Sequence, residues 1–333
     1  MNAPKVVVAA RVFPETLARL ADAGCTVVAN PEETPWSPAE LAARCAAADA
    51  LVAFMTERVD AALLEACPRL RIIAGALKGP DNLDVAACTE AGVWVSVVPD
   101  LLTEPTAELA VGLALALSRH IVAGDARVRG GTFQGWRPVL YGAGIGGSRV
   151  GVAGTGRLGR AIARMMAGFR PARLMGFDPA GVPEGVERLD WPALLSASEL
   201  LILALPLTPG TVGLLDAAAL ARLPPGARVV NVGRGSVVDE AAVAAALRDG
   251  RLGGFAADVF AFEDLSRPNR PPGPDPQLLA SPNTLFTPHL GSATIAARRA
   301  IEAAAVTNVL AVLRGEVPPD AVNRPPRLRP GAP

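Results

Sequence analysis

The sequence predicts an α/β protein of two parallel-sheet domains, and three observations carry that prediction. Short apolar runs alternate with helical patterns over about the first hundred residues. The alternation resumes at Arg149, and a glycine-rich turn follows the first apolar run of this second block. Such alternation favours parallel strands, because parallel neighbours need a crossover connection and a helix supplies it. A length of 333 residues suits two domains, and a hydrophobic content of 50% provides a core for each.

In the first block, strands are expected at Val6–Ala10, Leu51–Phe54, Ile72–Gly75 and Val93–Val97. Helices are expected at Glu15–Ala23, Ala39–Ala48, Ala61–Ala66 and Val85–Ala91. Ser37-Pro38-Ala39-Glu40 marks one helix start, with a hydroxyl cap, a proline at the first helical position and an acid in the first turn. A long helical pattern from about Thr106 to Leu117 follows, then an irregular glycine-rich stretch, Gly130 to Gly147, that carries Trp136 and Tyr141. Strands of the second block are expected at Val150–Ala153, Leu174–Phe177, Leu200–Ala204, Arg228–Asn231, Gly254–Ala257 and Thr284–Phe286, with helices between them, notably Glu240–Arg248. A proline-rich loop, Ser266 to Pro276, interrupts this block. A last helix from about Thr294 to Leu313 ends at Gly315 and leads into an extended tail; it is expected to return to the first domain.

The composition excludes several classes of function. Lys and Arg number 32, matched by 32 Asp and Glu, with no basic tract, so no nucleic-acid partner is expected. No apolar run approaches the roughly 20 residues of a membrane span, so no membrane partner is expected. The N-terminus enters a strand almost at once and lacks a signal-peptide pattern, which implies a cytoplasmic protein. Cys25, Cys45, Cys67 and Cys88 match no metal spacing and read as buried, reduced thiols, so no metal is implied. His120 and His289 are the only histidines, and Lys5 and Lys78 the only lysines. A lysine in mid-chain, where arginine supplies every other basic residue of the interior sequence, marks Lys78 for attention.

The glycine turn has the context that gives it chemical meaning. The run Val150 to Ala153 meets Gly154-Thr155-Gly156-Arg157-Leu158-Gly159, a helical pattern follows, and a second apolar run ends in Asp178. This is the dinucleotide-binding fingerprint of a Rossmann-like domain: strand, glycine turn, helix, strand, acid. Gly154 permits the turn, Gly156 lets the backbone approach a pyrophosphate, and Gly159 lets the helix pack close to the strand. The helix N-terminus offers N–H groups to the phosphates. Asp178 accepts from ribose hydroxyls and repels a 2′-phosphate, which points to NAD as the cofactor.

Three polar residues lie just past strands of the second block: Arg234 in VVNVGRGSVVDE, Glu263 in AADVFAFED and His289 in LFTPHLGSA. Strand ends are where an open parallel sheet places its ligands. A histidine partnered by a carboxylate and accompanied by an arginine makes an acid–base site for a small anionic substrate.

On these motifs, GTGRLGR at 154–160, VVNVGRGSVVDE at 229–240, DVFAFE at 258–263 and TPHLGSAT at 287–294, the chain resembles the D-isomer-specific 2-hydroxyacid dehydrogenase family over nearly its whole length. The resemblance implies two Rossmann-like or flavodoxin-like parallel-sheet domains with the active site in the cleft between them. Residues 1–98 and 292–333 would form a discontinuous substrate-binding domain and 99–291 the NAD-binding domain. It makes Arg234, Glu263 and His289 the catalytic set. Cofactor contacts would come from Lys78, Thr106, Gly154, Gly156, Arg157, Leu158, Gly159 and Asp178. Further along the chain, Leu205, Pro206, Val232, Gly233, Arg234, Asp258, His289 and Gly291 would contribute as well. The family also implies a homodimer, built around the helix from about Thr106.

A narrower resemblance, to the phosphonate (phosphite) dehydrogenases of the same family, rests on AFMTERVDAALLEACPRLR, ALKGPDNLDV and GRLGGFAADVFAFED. It implies oxidation of phosphite to phosphate by NAD. Substrate contacts would be Lys78, Gly79, Met55, Arg234, His289, Arg298, Trp136 and Tyr141. Pro80 departs from that branch, which carries a bulky aromatic there. Phosphite is largely a dianion, and Lys78 with Arg234 and Arg298 would balance it. The alternative is a 2-hydroxyacid dehydrogenase of the glyoxylate or hydroxypyruvate reductase type. A third reading is an NAD-sensing regulatory protein, disfavoured by the intact Arg, Glu and His set.

Overall fold

The computed structural model describes residues 3–98 and 100–329. The chain divides into two units: Met1–Leu102, Leu265–Pro268 and Thr294–Pro333 form one, and Thr103–Asp264 with Asn269–Ala293 the other. Both are α/β units with all-parallel sheets.

The first unit holds β1 (Lys5–Val8), β2 (Thr26–Ala29), β3 (Ala50–Ala53), β4 (Ile72–Gly75) and β5 (Trp94–Ser96) in the order β2-β1-β3-β4-β5. Its helices α1 (Pro14–Asp22), α2 (Pro38–Cys45), α3 (Ala61–Ala66) and α4 (Val85–Glu90) alternate with the strands. β3 and β4 are buried along their whole length, as central parallel strands covered on both faces must be. The N-termini of the helices are chemically specified. Ser37 and Glu40 form a reciprocal capping box on α2, and Asp60 and Asp84 cap α3 and α4 through the N–H groups of Leu63 and Ala87.

The chain's final helix, Ile295–Leu313, belongs to this unit and lays Ile301, Ala305, Val306 and Val309 into its core. Each fully buried Ile or Val side chain contributes roughly 1.5–3 kcal/mol. Among them lies a buried carboxylate, Glu302, which accepts from the Phe13 N–H at 3.0 Å and the Thr16 hydroxyl at 2.7 Å. The last described segment is strapped to β5: Asn323 accepts from the Val95 N–H, and Arg329 donates to the carbonyls of Leu64, Cys67 and Ala91. The four cysteines are free thiols, and burial pushes those of Cys45 and Cys88 up to about 12, which leaves them unreactive.

The second unit opens with α5 (Thr103–Ser118) and α6 (Ile121–Arg129). Its strands are β6 (Arg149–Ala153), β7 (Arg173–Phe177), β8 (Glu187–Arg188), β9 (Leu200–Leu203), β10 (Ala227–Asn231), β11 (Leu252–Ala257) and β12 (Thr284–Phe286). The order β12-β11-β10-β9-β6-β7-β8 reverses direction at β6, the first strand in sequence, so the turn after β6 stands at a topological switch point. Helices α7 (Arg157–Ala167), α8 (Trp191–Ala197), α9 (Ala217–Arg222), α10 (Glu240–Arg248) and α11 (Pro276–Leu279) connect the strands, and the final helix is α12. Two buried clusters form in this unit, one including Phe255, Leu201 and Leu194, the other Ile162, Met166 and Ile202.

The expected elements differ from the observed ones mainly at their ends: Ala39–Ala48 is Pro38–Cys45, and Val6–Ala10 is Lys5–Val8. β2, β8 and α6 were not expected. β8 is two exposed residues long, and α6 buries no residue, so neither leaves a periodic signal. Among the described residues no single helix is long and apolar enough to cross a membrane. α5 and α6 together have the length but bend by 64°, and α5 buries Ala107, Ala110, Leu113 and Ala114 in the protein.

In the first unit, the loops after β3 and β4 are tied by two buried polar side chains. Glu57 accepts from the Phe54 N–H and the Thr56 hydroxyl, both at 2.6 Å, and the Asn82 amide donates to the Phe54 carbonyl at 2.8 Å and to that of Glu57. Burial pushes the Glu57 carboxyl up, opposed by its Thr56 and Phe54 hydrogen bonds. A folded value above the unfolded one stabilises fully below the ordinary carboxylate range, and that contribution is lost as pH rises through the folded value. Glu57→Gln keeps the side-chain shape and removes the charge. At neutral pH the variant should melt higher than the wild type, with the difference vanishing as the pH is lowered. Calorimetry across a pH series checks this, and a lower neutral-pH melting temperature would refute it.

Candidate active site

The turn after β6 is built by glycine packing. Gly154 sits at φ +83°, and a Cβ there would lie 2.8 Å from the Ala204 carbonyl oxygen; at Gly159 it would lie 1.8 Å from that of Gly154. Only glycine lets α7 start so close to β6. At Gly156, by contrast, a Cβ would meet nothing within 4 Å, and Gly156 caps α7 without a side-chain hydrogen bond. An open side at Gly156 and a helix start without a side-chain cap fit a dinucleotide pyrophosphate. Arg157 and Leu158 form the first turn of α7. Asp178, at the end of β7, accepts from the Thr155 N–H and the Ala180 N–H, each at 2.8 Å, so the acid is tied to the glycine turn it faces.

Three further strand ends carry the polar set. β10 delivers Asn231, whose amide donates to the Arg234 carbonyl at 3.0 Å while its Oδ1 accepts from the Gly233 N–H at 3.1 Å. These bonds shape Val232, Gly233 and Arg234 into the start of a short 3₁₀ turn, Gly235–Val237. β11 leads through Asp258 to a second 3₁₀ turn, Ala261–Glu263. β12 leads through Thr287 to His289. The result is an ion-pair-like contact: His289 Nδ1 lies 2.6 Å from Glu263 Oε2, with side chains 31% and 23% exposed. Glu263 Oε1 accepts from the Phe260 N–H at 2.7 Å, which fixes the carboxylate plane. A carboxylate on Nδ1 sets the tautomer and leaves Nε2 for a reacting group.

His289 stands in left-handed backbone, φ +57°, where a side chain other than glycine is strained. Asp258 holds it there. This buried carboxylate accepts from the Thr287 hydroxyl and the Leu290 N–H at 2.6 Å and the Gly291 N–H at 2.9 Å, while its carbonyl accepts from the His289 N–H at 3.0 Å. Burial pushes the Asp258 carboxyl up, opposed by these hydrogen bonds and by the neighbouring His289. Gly291 also packs against Thr106 of α5, 3.0 Å from a would-be Cβ.

The other residues singled out in the sequence fall as follows. Leu205 and Pro206 follow β9, the first buried and the second exposed. Trp136 and Tyr141 are 80% and 79% exposed on the irregular stretch after α6. In the first unit, Lys78 and Gly79 follow β4 and are partly buried, and Met55, after β3, packs against that unit's core. Arg298, on α12, lies over the Phe54 ring at 5.5 Å and 3.9 Å from Glu302. Sequence reasoning passed over Asn231, Asp264, Glu240, Glu57 and Asn82, whose work is to hold backbone. For these, the available signal is polar type beside an apolar run. Among the described residues no group of three or more His, Cys, Asp or Glu is placed to hold a metal ion.

With this geometry in hand, comparison with known proteins is specific. The model of the D-isomer specific 2-hydroxyacid dehydrogenase NAD-binding domain matches residues 111–291. The chain is 36% identical over 331 residues to a glyoxylate reductase of Pyrococcus furiosus, covering 96% of each. Among solved structures it is similar to a protein from Thermus thermophilus, TM-score 0.87 at 34% identity over 96% of this chain and 100% of that one. It is also similar to the NADPH-dependent glyoxylate/hydroxypyruvate reductase of Sinorhizobium meliloti in complex with NADP and malonate, TM-score 0.82 at 28% identity over 99% of each. These relatives correct the expectation of phosphite oxidation: proteins similar to this one over nearly its full length are named for keto-acid reduction. The fingerprint, the NAD-binding domain match and the full-length similarity together establish that the chain belongs to the D-isomer specific 2-hydroxyacid dehydrogenase family and is an NAD-dependent oxidoreductase of that family.

Proposed function

We propose that the protein reduces a small 2-keto acid of the glyoxylate or hydroxypyruvate type to the corresponding 2-hydroxy acid. The Glu263–His289 contact at 2.6 Å is the observation that carries this reading. His289 Nε2 gives its proton to the substrate carbonyl oxygen as the carbonyl carbon is reduced, and takes it back in the reverse direction. Glu263 holds the ring and offsets its charge when protonated. Arg234 binds the substrate carboxylate through its planar guanidinium. Bound NADH supplies the hydride. The glycine turn from Gly154 to Gly159 holds its pyrophosphate and Asp178 its adenosine ribose, with Thr106, Leu205, Pro206, Val232, Gly233, Asp258 and Gly291 as further contacts. In the first unit, Lys78, Gly79, Met55 and Arg298 are proposed as substrate contacts on sequence resemblance, Lys78 also toward the cofactor.

The protein is further proposed to act as a homodimer. α6 and the stretch after it expose Ile121, Val122, Val128, Phe133, Trp136 and Tyr141, large apolar side chains that a partner surface would take out of water. A second copy is the occupant that the family implies.

NADH consumption with glyoxylate and with hydroxypyruvate tests the reaction. His289→Ala should lower turnover by roughly 10²–10⁴-fold, the usual worth of a positioned acid–base group, while NADH affinity read by fluorescence titration stays within about twofold. Near-normal turnover in that variant would rule out the assigned role. Glu263→Gln should be milder, because the imidazole itself remains, although the single amide oxygen can accept only one of the two bonds that the carboxylate makes to the Phe260 N–H and to His289 Nδ1.

Cofactor preference follows from Asp178 and the exposed Pro179, which offer a 2′-phosphate repulsion and no cation. The wild type should favour NADH over NADPH, and the double variant Asp178→Ala, Pro179→Arg should narrow that preference by about tenfold or more. Equal catalytic efficiency with both cofactors in the wild type would overturn this.

A further inference from the structure

The turn that carries Glu263 has only three residues, Ala261–Glu263, and no long element of its own to hold it. Its backbone is held instead at both ends by carboxylates that do not belong to the acid–base set. At its start, the Ala261 N–H donates to Glu240 Oε1 at 2.8 Å, and Glu240 Oε2 accepts from the Asp275 N–H at 3.1 Å. Glu240 is the first residue of α10, which packs on β11. Immediately after the turn, Asp264 Oδ2 accepts from the Ser236 N–H at 2.8 Å, a buried bond that reaches back to the turn following Arg234. Between these two ties the turns are in backbone contact: a Cβ on Gly235 would lie 1.8 Å from the Phe260 carbonyl carbon.

We propose that Asp264, which binds the Glu263 turn to the Arg234 turn, and Glu240, which binds it to the start of α10, are positioning residues that hold the Glu263 carboxylate at hydrogen-bonding distance from His289. This rests on the acid–base roles given above to Glu263 and His289. Each tie is a charge-assisted hydrogen bond from a backbone N–H, which is shorter and stiffer than a neutral one. The Phe260 N–H that fixes Glu263 Oε1 belongs to the residue at which the turns touch, so slack in either tie is passed directly to the carboxylate. Glu240 stands in VVDE, and Asp264 directly follows Glu263 in AFED.

The test compares Asp264→Ala with Asp264→Asn in the full chain without a histidine tag. Alanine removes the acceptor for the Ser236 N–H; the asparagine Oδ1 keeps it. Asp264→Ala should lower kcat for keto-acid reduction roughly ten- to a hundredfold, the cost of a small misplacement of reacting groups, with NADH affinity within about twofold. Asp264→Asn should recover most of that loss. A second readout needs no turnover. The chain has two histidines, so ring-nitrogen NMR shifts in alkaline buffer, assigned with His289→Ala, report the His289 tautomer alone. The wild type and Asp264→Asn should show the proton on Nδ1, and Asp264→Ala should drift toward Nε2, the form favoured without a partner. An unchanged tautomer with unchanged kcat in Asp264→Ala would overturn the proposal, as would equal loss in both variants with the Nδ1 form retained. A wild type that reduces neither keto acid, yet shows the Nδ1 form lost only in Asp264→Ala, would sink the functional reading and leave the positioning role standing.

Discussion

Asp258 is almost fully buried at the end of β11, and a carboxylate in that setting costs several kcal/mol unless its oxygens are satisfied. Thr287, Leu290 and Gly291 satisfy it, all from the loop after β12. Meeting the needs of one buried charge therefore dictates the path of a whole loop. Along that path His289 is driven into left-handed backbone, a strain of order 1–3 kcal/mol that the surrounding bonds over-determine. The imidazole consequently arrives at Glu263 with its Nδ1 edge presented, which leaves Nε2 outside that contact. The pairing of His289 with Glu263 depends on this buried acid as much as on either partner.

Three acids around the glycine turn and the histidine do two kinds of work. Asp178 and Asp258 each receive backbone N–H groups from a loop that must keep one shape, the glycine turn in the first case and the histidine loop in the second. Glu263 instead spends one oxygen on its own turn and the other on a side chain. A carboxylate with one oxygen fixed by backbone is a good positioner of an imidazole, since its plane cannot rotate when the ring gains or loses a proton. The same economy of fixed backbone donors explains why the polar set needs no long helix beneath it: short 3₁₀ turns suffice once their N–H groups are committed.

Much of this fold was legible in the sequence. β4, β12, α3 and α10 fall on the residues expected for them: β4 is a short apolar run buried along its length, and an acidic cap bounds the start of α3 and of α10. β8 and α6 were not legible, since exposed residues carry no periodic constraint. The glycine turn and the strand-end positions of Arg234, Glu263 and His289 were also legible, because residue type and spacing there answer to local geometry. The substrate was not. The same cations and the same histidine–carboxylate pair suit either small anion, so residue type alone does not separate the two substrates, and the relatives named glyoxylate reductase do.

What the sequence determined by itself was therefore the class of each element, the family motifs and the cofactor turn, all set by interactions among residues close along the chain. The tertiary structure decided which polar groups meet. Glu263 and His289 are separated by 26 residues, Asp264 and Ser236 by 28, and Asp258 and Gly291 by 33. Those contacts exist because parallel strands β10, β11 and β12 end side by side, an adjacency created by the sheet and carried by no local pattern in the chain.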